Sequence, residues 1–217
     1  MSATRAALDS LMILTRPFLV VALSLVHCIG LAGMQRAVAQ AQDQAAPKLE
    51  NARRLTVPTA ILRPGEALPR PVDEMREAIL AAVQSGRIED LREAFELNEI
   101  RPDLGPDFGP GKETDPVAYW RRISGDGEGR EILAALANVL ALPVAVAPLG
   151  RDIENSKVYV WPYFAEMPLA MLTPAQEVDL LRLVPASTAK EMKARGVYSH
   201  WRLVIGAEGN WLALTRN

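Results

Sequence analysis

Cysteine and histidine are almost missing from this chain. Its 217 residues hold one cysteine, Cys28, and two histidines, His27 and His200. One cysteine excludes an intrachain disulfide and a thiolate metal cluster, and so few imidazoles exclude zinc enzymes built on several histidines. No Gly-x-Ser-x-Gly elbow, His-Glu-x-x-His pair or dinucleotide fingerprint occurs, and no Asn-x-Ser/Thr sequon marks a glycosylated surface. An excess of positive charge is also lacking. Residues 1–39 contain Arg5, Arg16, Arg36 and Asp9, so the remainder carries 21 basic against 25 acidic residues. That mixed, mildly acidic balance gives a nucleic acid no electrostatic footprint.

What is present begins at the N-terminus. Arg5 and Arg16 precede an apolar stretch from Pro17 to Gly33, and Ala37-Val38-Ala39 supplies a small-x-small site before Gln40. This order predicts a secretory signal peptide cleaved near Ala39, and with it a periplasmic or secreted protein. Lipid attachment at Cys28 fits poorly, because His27 stands where a small residue is expected. As a retained anchor the stretch falls short of the roughly 20 residues that span a bilayer. If the signal is removed, the protein loses its only cysteine.

Residues 40–70 read as a disordered tether, polar at first and then broken by Pro58, Pro64 and Pro69, with Pro71 just beyond; Leu55–Leu62 could form a short edge strand, but the surrounding composition favours disorder. Residues 71–217 read as one α+β domain. Val72, Met75, Ile79 and Val83 recur at helical spacing, with Asp73 placed to cap and Gly86 to stop the helix. A second helix carries Ile88, Leu91 and Phe95, and the short link between the two predicts an antiparallel pair. The loop 101–116, rich in Gly and Pro, is long enough to be functional. Asp115-Pro116 then opens a short helix with Tyr119 and Trp120. The apolar run Ile132–Leu149, interrupted by Pro143 and Pro148, reads as a buried helix ending near Leu142 rather than a membrane span.

The last third changes texture. Lys157–Phe164 reads as a strand, and Thr173-Pro174-Ala175-Gln176 is a capping box opening a helix. A further helix covers about Ser187–Arg195 and stops at Gly196. Strands Val197–Ile205 and Asn210–Thr215 close the chain as an antiparallel hairpin. The predicted fold is α+β, with the N-terminal helices and the C-terminal helices packed on one face of a small, mainly antiparallel sheet.

Side chains alternate along a strand, so Tyr159, Trp161 and Tyr163 share one face and Val158, Val160 and Phe164 the other. With the valine face on the helices, the aromatic row would face solvent or a cleft, where it could stack on sugars or hold a peptide. In the next strand Tyr198, His200 and Arg202 alternate with Trp201, Leu203 and Ile205. Sharing a sheet with Tyr159 and Trp161, they would complete an aromatic and cationic surface, with Glu166 as an acidic neighbour. Each has a plainer reading: the aromatics as core, His200 as a bystander and Glu166 as a solvated charge. Ser124-Gly-Asp-Gly-Glu-Gly129 reads as a turn and helix start, since Asp126 and Glu128 would repel phosphate and no P-loop lysine follows. Asp103, Asp107 and Asp115 match no calcium loop, so no metal is expected.

The signal region, the Ala/Arg/Leu-rich helices and the closing Ile205-Gly-Ala-Glu-Gly-Asn-Trp211 hairpin together resemble exported proteobacterial proteins of unknown function. That resemblance implies no activity. The expectation is therefore a non-catalytic exported binding or interaction module without a cofactor. Its candidate residues are Tyr159, Trp161, Tyr163, Glu166, Tyr198, His200 and Arg202, and its partner an envelope protein, a peptide or a glycan. Sheet-edge pairing into a homodimer is compatible with this. A carboxylate-dependent envelope hydrolase, with Glu166 beneath a lid formed by 101–116, and a structural envelope protein are the alternatives.

Overall fold

The computed structural model describes residues 58–98, 100–149 and 156–216. The expected signal peptide and the first part of the tether lie outside these residues. The described part is an α+β fold with six helices and one five-stranded antiparallel sheet. Strands β1 (Ala60–Leu62), β2 (Val144–Pro148), β3 (Lys157–Trp161), β4 (Trp201–Gly206) and β5 (Trp211–Arg216) lie side by side in sequence order. The chain thus enters the sheet at Ala60, within the segment expected to be a tether. Ala60, Ile61 and Leu62 are a short apolar run between prolines, and pairing with Val146, Ala145 and Val144 gives that run its partner.

Two long connections cover the sheet. The first joins β1 to β2 and carries helices α1 (Arg70–Ser85), α2 (Leu91–Glu96), α3 (Pro116–Ile123) and α4 (Arg130–Leu140). The second joins β3 to β4 and carries two 3-10 turns, Tyr163–Glu166 and Leu169–Met171, then α5 (Pro174–Leu183) and α6 (Ala186–Arg195). The first set packs with Val144, Val146, Tyr159, Trp161, Leu203 and Ile205, and the second with Ala145, Ala147, Val158, Val160 and Val204. Alternation along each strand separates these lists. The helices therefore lie on both faces, not on one as the pattern suggested, and the sheet is the middle of three layers.

Local chemistry sets the helix ends. In α1 the buried residues Val72, Met75, Ile79 and Ala82 form one face, and Gly86 closes the helix in the left-handed region at φ 68°. The helix starts at Arg70, so Asp73 lies in its first turn instead of capping it. Asp115 does cap α3, its carboxylate accepting the Val117 N–H at 3.3 Å. The Thr173–Gln176 capping box opens α5 as expected. Gly129 precedes α4 at φ 82°, and a Cβ there would stand 2.6 Å from Ile88 Cγ1, so the close approach of the two segments requires glycine.

The apolar run 132–149 divides into α4 and β2, and no helix among the described residues is long and apolar enough to cross a membrane. The 101–116 loop is tied to the molecule. Asp103 bonds through its backbone to Leu212 and Leu214 at the edge of β5, Leu104 is buried, and Tyr119 Oη donates to the Leu104 carbonyl at 2.8 Å. It covers part of that sheet edge, which strand pairing into a dimer would need.

Candidate functional site

The seven residues singled out along the sequence do not meet at one surface. Tyr159 and Trp161 point into the first helical layer and are 6% and 2% exposed. Pro162 follows Trp161 through a cis peptide, β3 ends there, and the chain turns into the 3-10 segment that carries Tyr163 and Glu166. Tyr163 therefore leaves the expected row and packs in the second layer with Phe164 and Tyr198. Because both faces of the sheet are covered, the expected open aromatic surface does not form.

The second layer holds the polar candidates. Arg202 Nη1 donates to Glu166 Oε1 at 3.1 Å, with both side chains more than nine-tenths buried. Burying two charges is tolerable only when each meets the other with good geometry. Tyr163 Oη donates to Asp179 Oδ2 at 3.1 Å, and Tyr198 Oη to the Trp201 carbonyl at 3.0 Å. Burial pushes both phenols well above the usual range, and the Asp179 carboxylate adds to the effect at Tyr163. His200 is half-buried just before β4. Burial first, and the Arg216 cation second, hold its imidazole below the ordinary value, against an opposing pull from Glu131. Glu166 and Arg202 do come together, while the 101–116 loop is held at the β5 edge and the first layer. It does not stand over Glu166 as a lid.

Of the seven, Trp161 also borders a cleft. A cavity of about 400 Å³ lies between the β1–α1 loop, the start of α1 and the ends of α4 and β3. Leu62, Leu140, Leu142, Val144 and Trp161 form its apolar side. Arg63, Glu66, Asp73, Arg76 and Glu77 stand around it. Arg76 is committed to Asp73 at 3.5 Å and Glu77 at 2.5 Å. Glu66 accepts the backbone N–H of Arg63 at 2.9 Å, which fixes the turn. The exposed Arg63 guanidinium makes no ion pair with any described residue. The volume is within the range of small-ligand sites, roughly 300–1,000 Å³, and a few polar groups over an apolar floor are what such sites present.

Sequence reasoning missed this rim because residues 58–69 read as tether. The available signal was the possible edge strand Leu55–Leu62, which contains β1, but the prolines and polar residues around it outweigh so short an apolar run in the absence of its β2 partner. Among the described residues no group of histidine, cysteine and carboxylate side chains could hold a metal ion. Compared with family models, curated proteins and solved structures, the chain matches nothing.

Proposed function

We propose that the protein is an exported, non-catalytic binding module whose ligand site is the cleft beside Trp161. The observation that carries this reading is the pairing of an apolar floor with the exposed guanidinium of Arg63 at the rim, which makes no ion pair with a described residue. An apolar side chain next to a carboxylate satisfies both, so the ligand is a peptide end carrying a large aliphatic residue and its free C-terminal carboxylate. A guanidinium binds a carboxylate through two parallel hydrogen bonds, which gives orientation as well as attraction. Export is supported by the order of charged, apolar and small residues in positions 1–39.

The test is a calorimetric titration of the full chain with acetyl-Ala-Leu-Leu bearing a free carboxylate. Its C-terminal amide and a simple glycan serve as competing probes. Ala67 is an exposed cleft residue, so Ala67→Trp fills the space without disturbing the core. Saturable binding of the free acid, weaker binding of the amide and loss in Ala67→Trp are expected. Binding that ignores both changes, or no binding to the peptide, would reject the site.

A further inference from the structure

The outer surface of the second layer carries a groove that the sheet and the Trp161 cleft do not use. Helices α5 and α6, joined through Val184 and Pro185, leave between them a depression of about 220 Å³. Leu180 and Ala189 form its buried floor, and Leu181, 49% exposed, forms one wall. Three charged groups surround it. Glu177 and Lys193 pair with each other across the groove, whereas Lys190 is exposed and makes no ion pair with a described residue. The groove is therefore apolar with a surplus positive charge. It calls for an aliphatic side chain accompanied by a carboxylate.

The opposite layer of the same molecule presents that combination. In α2, Leu91 and Ala94 are buried, which turns Glu93, Glu96 and Leu97 outward on the other face. Leu97 is 67% exposed and Ile100 51%, among the largest apolar exposures in the described residues. Glu96 has one long contact with Arg92, at 3.9 Å, and Glu93 is exposed with no ion pair to a described residue. This is an aliphatic knob with acidic flanks. It lies in the layer across the sheet from the groove, so a knob and groove of one copy cannot meet.

We propose that Leu97 of one copy seats in the α5–α6 groove of a second, with Glu93 and Glu96 facing Lys190. Knob and groove lie on opposite layers of the fold, so two copies do not exchange both contacts at once and the contact is heterologous. It propagates head to tail instead of closing as a two-fold dimer. A contact of this kind is small, so the association is weak and depends on concentration.

The test uses the full chain in a Cys28→Ser background, which leaves no native thiol. Two single variants are made, Ile100→Cys beside the knob and Ala186→Cys on the groove wall, both at exposed positions, so that Leu97 and Lys190 are kept. Under mild oxidation the mixture of the two is expected to give a disulfide-linked pair, and each variant alone little or none. An Ile100→Cys homodimer as the main product would mean a two-fold contact and overturn the proposal, as would absence of any mixed product. Sedimentation supplies an independent reading. Glu96→Lys and Lys190→Glu should each weaken association about three- to tenfold, and the double variant should recover it. Full association in both single variants, or none in the parent, would also overturn it.

Discussion

The two layers flanking the sheet are built differently. In the first, Trp120 and Trp211 stack with ring centroids 5.9 Å apart, and Phe95 meets both edge-on at 6.0 and 6.4 Å. Around them α1 and α4 contribute four and five buried residues from long apolar faces. In the second, α5 buries Leu180 and α6 buries Ala189 and Met192. What replaces apolar area there is polar and specific: Glu166 with Arg202, Tyr163 with Asp179, and Tyr198 with a backbone carbonyl. Amphipathic helices hold their place by burying area alone. Short, weakly apolar helices need directional contacts to fix their position.

That contrast yields predictions, of similar size but different cause in the two layers. Trp211→Ala removes a fully buried ring from the stack and should cost about 3–5 kcal/mol in urea unfolding. Trp161→Ala should cost nearly as much, since Trp161 is core as well as cleft lining. In the second layer, Glu166→Ala leaves the Arg202 charge buried without Glu166 and should also cost about 3–5 kcal/mol. The sharper comparison is the double change Glu166→Met with Arg202→Leu. If the pair fixes position more than it adds stability, the double variant should recover most of the loss of the single one. Its thermal transition would broaden where the second layer loses unique packing.

How much of this was legible follows the same division. The face of α1, the Gly86 stop, the Asp115 and Thr173 caps and the closing hairpin all rest on local patterns, and the structure has them. Strand β1 lies within the possible edge strand Leu55–Leu62, but three residues among prolines carry too little pattern to outweigh a tether without a partner. Strand β2 was hidden in an apolar run continuous with α4. The face assignment failed for a different reason. Alternation separates Tyr159 and Trp161 from Val158 and Val160 correctly, but it cannot say that both faces are covered. That depends on the two connections crossing on opposite sides. The Glu166–Arg202 pair joins residues far apart in sequence, and no local signal marks such a contact.

Smaller effects follow from titration. Tyr163 and Tyr198 stay protonated in the fold, so the unfolded chain loses those protons first as pH rises past about 10. Stability should therefore fall above that pH, and Tyr198→Phe should soften the fall even as it leaves the Trp201 carbonyl without its donor. For His200 the sign is reversed. The fold disfavours the imidazolium, so the unfolded chain takes up the proton more readily. Stability is then complete above about pH 6.5, declines as pH drops below it, and levels off once the folded group also protonates. Urea midpoints at several pH values should show this slope, and His200→Gln should flatten it.

Whether the proposed ligand site is the Trp161 cleft, and not the buried aromatic row, is measured most directly by calorimetry of acetyl-Ala-Leu-Leu against the parent chain, Arg63→Glu and Ala67→Trp, up to about 1 mM peptide. Saturable binding is expected in the parent, marked weakening in Arg63→Glu and none in Ala67→Trp, with all three equally folded. Equal binding by all three chains, or no heat from any, would contradict the proposed site.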